Sequence, residues 1–177
     1  DTNGGSTNPA DQTRKYNEKA TEPTEPTKTG NSFVCWVDKA TGEKFEFDTL
    51  ITKDTDLIAK WEKVYTVTFD TNGGSQNPED QTVVDGGNAN TPADPTKEGY
   101  DFDGWVDKAT GEPFDPTKPV TSDIDLEAKW TAKDYTVTFD TDGGSENPAN
   151  QTRKYNEKAT EPTDPTKDGY SFVCWLD

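Results

Sequence analysis

The chain has 177 residues, with 18 Lys and Arg against 35 Asp and Glu, a formal net charge of −17, and neither His nor Met. That acidic balance, with no basic cluster, excludes nucleic acid and anionic membrane as binding surfaces. The absence of His removes the commonest general base and metal ligand, and no apolar run is long enough for direct membrane insertion. Leu, Ile, Val and Phe number only 25, a low share that, with high charge, points towards disorder. Against that, five Trp, six Tyr and eight Phe recur at regular positions, and a solvated, unfolded chain has no use for periodic Trp.

Self-comparison sets the organisation. Tyr65-Thr-Val-Thr-Phe-Asp-Thr-Asn-Gly-Gly-Ser75 returns as Tyr135-Thr-Val-Thr-Phe-Asp-Thr-Asp-Gly-Gly-Ser145, and the chain opens on Asp1-Thr-Asn-Gly-Gly-Ser6. Trp36, Trp105 and Trp175 mark equivalent points, as do Trp61 and Trp130, which gives a period of about 70. Residues 1–38 and 140–177 differ at seven positions, whereas the middle copy diverges from Val83 to Asn90. The order is A–B–A′, read as a window on a longer alternating array. The expected units are 1–63, lacking its first strand; 64–133, complete; and 134–177, lacking its closing hairpin strands.

In the complete copy the elements follow in order. Tyr65, Val67 and Phe69 alternate with Thr, the period of a half-buried strand. Asn72-Gly-Gly-Ser75 turns the chain. Gln81–Val84 reads as a second strand. Residues 88–96, broken by Pro92 and Pro95, predict at most one or two helical turns. Tyr100–Val106 is a third strand, Asp107-Lys-Ala-Thr-Gly111 a hairpin turn, and Phe114 lies on a short return strand. Ile124, Leu126, Ala128 and Trp130 alternate with polar residues and close the unit. The layout predicts an α+β, β-rich fold with few helical residues.

These motifs, Tyr-Thr-Val-Thr-Phe-Asp-Thr-Asn-Gly-Gly-Ser, then Pro-Thr-Lys-Glu-Gly-Tyr-Asp-Phe-Asp-Gly-Trp, then Ile-Asp-Leu-Glu-Ala-Lys-Trp, resemble the Listeria–Bacteroides repeat, or internalin B-repeat, family along essentially the whole chain. The resemblance implies tandem β-grasp-like (ubiquitin-like) modules in long bacterial surface proteins, hence an extracellular, cell-surface location. It supplies no catalytic residues. Two departures stand out: Cys35 and Cys174 replace the family's usual Gly, kept as Gly104, and Val37, Val106 and Leu176 replace its usual aromatic after Trp.

The chemistry-bearing residues are few. Cys35 and Cys174 fall in phase with Phe33 and Phe172, which puts them on the Phe face as small buried hydrophobes; the alternative is a bond between chains. A bond between the two within one chain is disfavoured because a whole repeat separates them, and a thiol catalyst lacks a His to activate it. Trp36, Trp105 and Trp175 fall out of phase with those Phe residues, and Trp105 shares its face with Asp101, Asp103 and Asp107. They read either as rings covered by the following hairpin or next repeat, or as an exposed platform for a sugar or a partner chain. The pairs Asp54/Asp56, Asp101/Asp103 and Asp123/Asp125 lie on alternate strand positions, which share a face but do not converge as a Ca²⁺ site requires. No cofactor is expected, and Ca²⁺ binding would be weak.

The functional expectation is a non-catalytic structural array, a stalk, spacer or filament, whose partners are neighbouring repeats and other copies of itself. The alternative is an adhesin that binds a host protein or glycan through exposed aromatics or a sheet edge.

Overall fold

The computed structural model describes residues 1–176. Nine strands occur among them: β1 (Glu18–Lys19), β2 (Asn31–Asp38), β3 (Leu50–Ile51), β4 (Leu57–Asp70), β5 (Gln81–Val84), β6 (Tyr100–Asp107), β7 (Ile124–Ala132), β8 (Asp134–Val137) and β9 (Gln151–Lys154). The expected α component is absent from the described residues. Residues 88–96 run as irregular chain, because Pro92 and Pro95 deny a helix its backbone donors while Ala89, only 3% exposed, is drawn into the core. The fold is β-rich.

The main sheet has five strands. Its path is β2-β4-β7-β6, with β5 also on β4. The β4–β7 pair is parallel, from Val67 opposite Ile124 to Asp70 opposite Glu127, and the others are antiparallel. Two-stranded ladders β1–β3 and β8–β9 complete the described structure.

The middle copy holds the main core. Val67, Phe69, Val83, Ala89, Trp105, Val120, Leu126 and Ala128 form one buried cluster, with Tyr65, Phe102, Phe114, Ile124 and Trp130 packed at its edge. Alternation supplies it: Val67 and Phe69 point inward from β4, Leu126 and Ala128 from β7, so each strand buries every second side chain. In the first copy the buried apolar residues are Trp36 and Ala59.

The link between the first and middle copies is not a loop. Residues 62–64 lie inside β4, a single strand of 14 residues. Its first half pairs with β2, Asn31 opposite Lys63 through Asp38 opposite Leu57. Its second half pairs with β5 and β7. Trp61 and Tyr65 are four residues apart, an even number, so both project from the same strand face. In the next link Trp130 and Tyr135 are five apart. An uninterrupted strand would put them on opposite faces, and here the chain leaves strand geometry at Lys133, between β7 and β8.

Candidate interaction surfaces

The most repeated motif, Asp-Thr-Asn-Gly-Gly-Ser, folds into a polar loop clamped by a tryptophan. Thr71, 3% exposed, donates its backbone N–H to Asn77 Oδ1 at 2.9 Å and its Oγ1 hydroxyl to Ser75 O at 2.6 Å. Asn72 and Gly73 take φ of 49° and 79°, the left-handed region that Asn and Gly tolerate best. Trp130 Nε1 donates to Thr71 O at 3.0 Å, and Lys97 Nζ donates to Asn72 O at 2.8 Å. Gly74 lies under the Trp130 ring, where a Cβ would come within 2.7 Å of Cζ2. The first copy repeats the arrangement: Trp61 Nε1 donates to Thr2 O at 2.9 Å, and Lys28 Nζ to Asn3 O at 2.8 Å. The motif's own side chains are thus spent on holding the loop.

The tryptophan of β2 and β6 lies elsewhere than its spacing suggests. The β2–β4 register shifts between Phe33 and Cys35, and the β6–β7 register between Phe102 and Gly104. Each shift is a bulge at Val34 or Asp103, and one extra residue inverts the alternation downstream. Phe33 and Trp36 therefore share the inner face, with ring centroids 5.6 Å apart, as do Phe102 and Trp105 at 5.7 Å. Trp36 is 3% and Trp105 4% exposed, so neither offers a ring face to a sugar. Trp175 is half-buried against Phe139, at 5.4 Å. The indole N–H groups of all three find no acceptor.

The same bulge moves Cys35 outward. A Cβ at Gly104 would meet nothing within 4 Å, so this position faces open space, and its equivalent Cys35 is half-buried; Cys174, which lies outside any strand, is exposed, and both are free thiols. They are not the buried hydrophobes that simple alternation predicts. A lone Gly inside a strand pattern is a recognised sign of a bulge, and Gly104, at φ 114°, was the residue that carried it.

Two of the three acidic pairs, Asp101/Asp103 and Asp123/Asp125, engage local partners. Asp123 Oδ1 accepts Thr66 N–H at 2.8 Å, Asp125 Oδ1 accepts the Thr68 hydroxyl at 2.7 Å, and Asp103 Oδ2 accepts that of Thr131 at 2.6 Å. Asp101 pairs with Lys133 at 3.4 Å on the surface. Among the described residues no three His, Cys, Asp or Glu side chains converge to hold a metal, and no helix is long and apolar enough to cross a membrane.

Comparison with known proteins agrees with the repeated organisation of the chain. Residues 1–60, 65–129 and 135–177 each match the model of the Listeria-Bacteroides repeat domain. Two proteins of Evansella cellulosilytica whose names call them membrane proteins, one of them Gly-rich, are 40% and 39% identical over 98% and 99% of this chain. Internalin H of Listeria monocytogenes is 40% identical over 65% of it. The chain spans only 26%, 20% and 20% of those three relatives' lengths. The three matched segments cover nearly all of the sequence, and the chain belongs to the Listeria-Bacteroides repeat family.

Proposed function

We propose that the chain is a non-catalytic spacer segment of a bacterial cell-surface protein, built from consecutive units at 1–63, 64–133 and 134–177. The observation that carries this reading is β4, which closes one copy and opens the next without leaving the strand. A shared strand restricts the angle between neighbours, and units that touch only their neighbours stack into an extended rod. The β5-β4-β7-β6 order, with a parallel β4–β7 pair at its centre, favours a helix-less variant of the β-grasp layout for each unit. Internalin H and the two named membrane proteins support a location at the cell surface. An adhesin working through exposed tryptophan has less in its favour, since Trp36 and Trp105 are covered. Small-angle X-ray scattering on the chain tests the proposal. A rod-like profile whose maximum dimension grows in equal steps as copies are added supports it. A compact or freely jointed profile sinks it.

A further inference from the structure

The two links differ by more than one residue of length. At the second link Tyr155, in the loop after β9, lies over Gly99. Gly99 is buried at φ 76°, and a Cβ there would overlap the Tyr155 ring. Tyr100 meets that ring edge-on at 5.7 Å, and Tyr135 flanks it at 6.3 Å. Backbone bonds hold the three segments in place: Lys133 N donates to Gly99 O and Tyr155 N to Lys133 O, both at 2.9 Å. The first link has the same backbone frame, Val64 N to Gly30 O at 3.0 Å and Asp85 N to Lys63 O at 2.8 Å. There, however, Asp85 replaces the tyrosine and Asn31 replaces Tyr100. Gly30 is exposed, with nothing within 4 Å of a Cβ. One link carries an aromatic clasp and the other does not.

The first copy carries the tyrosine half of that clasp without its receptor. Residues 12–19 repeat residues 151–158 letter for letter, but Tyr16 is 74% exposed whereas Tyr155 is half-buried. The loop beneath Tyr16 already has its docked shape. Asn17 and Asn156 take φ of 66° and 65°, and Arg14 and Arg153 each donate Nε to the carbonyl five residues on, Lys19 O and Lys158 O, at 3.0 Å. The last copy carries the receptor half: Gly169 at φ 77° precedes Tyr170, 74% exposed, under Lys167 Nζ at 5.0 Å. In the made clasp Lys97 Nζ covers Tyr100 at 4.8 Å. A preformed loop and a preformed corner lose little freedom on meeting, which favours docking.

We propose that Tyr16 is a docking residue whose partner is the Gly-Tyr corner of an adjoining repeat copy in the same polypeptide, and that Gly169–Tyr170 is such a corner for a following copy. The inference rests on the array reading above. It gives the array a pairing rule: a copy whose corner is Gly-Tyr locks onto a following copy bearing the loop tyrosine, and the Gly30–Asn31 corner meeting Asp85 stays open.

The test compares the chain with one lengthened by repeating residues 64–139 ahead of Asp1. Nitration of each tyrosine by tetranitromethane is followed by mass spectrometry. In the lengthened chain Tyr16 should react several-fold more slowly, at the rate of Tyr155, and Tyr100→Asn in the added copy should restore its reactivity. Equal Tyr16 reactivity in both chains overturns the proposal. So does protection of Tyr16 in the unextended chain that rises with protein concentration, which would assign the partner to a second chain. A second variant, Tyr155→Asp, installs the residue that the middle copy carries at position 85, and it should expose Tyr100 to nitration; an unchanged Tyr100 also counts against the clasp. X-ray scattering separates the two failures. Loss of rod length removes the array reading, whereas a retained rod with a reactive Tyr16 removes only the clasp.

Discussion

Trp130 Nε1 and Thr71 O, 59 residues apart in sequence, are joined at 3.0 Å. That bond ties the closing strand of the middle copy to the loop that follows its opening strand. Gly74 lies in that loop beneath the ring, with a Cβ position 2.7 Å from the indole and 3.0 Å from Thr96 O. Gly74→Ala should therefore push the ring off its acceptor and destabilise the copy by about 1–3 kcal/mol, the usual range for overpacking. Urea unfolding followed by tryptophan fluorescence measures it. A change within error would show that the loop and ring can shift apart freely.

The continuous strand β4 makes a prediction about amide exchange. Val64 N–H donates to Gly30 O and Asp85 N–H to Lys63 O, so both amides should exchange as slowly as their strand neighbours. Inserting one Gly between Lys63 and Val64 would turn Tyr65 to the other face of the strand. Protection at these two amides should then collapse while the core amides of β7 keep theirs. Fast exchange of Val64 in the unaltered chain would contradict a shared strand.

Asp115 supplies a pH dependence. The Thr117 hydroxyl at 2.6 Å and the Thr117 N–H at 2.9 Å both donate to its Oδ1. These hydrogen bonds favour the charged form and hold the carboxyl below its ordinary value of 3.8. A depressed carboxyl stabilises the fold above its unfolded value, and the contribution disappears as pH falls through the lower folded value. Because the group is solvent-exposed, the effect on stability is small. Thr117→Val should raise the Asp115 midpoint towards the ordinary value in an NMR titration, and an unmoved midpoint would assign the depression elsewhere.

The thiols should differ in reactivity. Cys174 is exposed and Cys35 half-buried, so a bulky disulfide reagent should label Cys174 first, with Cys35 lagging several-fold. Peptide mapping after brief labelling reads the order. Equal rates would place both side chains in equivalent surroundings.

The sequence was informative where neighbours along the chain decide the structure. The alternation in 65–69 and 124–130, the Asn-Gly-Gly turn and the Asp107–Gly111 turn appear as read, whereas the return strand expected at Phe114 is reduced to an isolated bridge between Val106 and Pro113. Alternation failed at Val34 and Asp103, because a bulge is set by how two strands far apart in sequence register against each other. The continuity of 62–64 is likewise set by partners distant in sequence: β2 and β5 come from opposite sides of that segment and pair with its two halves. The helical expectation at 88–96 gave way because Ala89 packs into the core beside a proline-broken stretch. The contact of Tyr155 with Gly99 left only one trace in the letters, the exchange of Tyr for Asp and Asn at matching positions of the other link.

A strand of 14 residues extends roughly 46 Å at about 3.3 Å per residue. Tension applied along the polypeptide enters this strand from one copy and leaves it in the next. The hydrogen bonds to β2, β5 and β7 lie across that line, so they are loaded together in shear rather than peeled open one at a time. Under such tension the junction between the first and middle copies would act as a continuous element of the sheet.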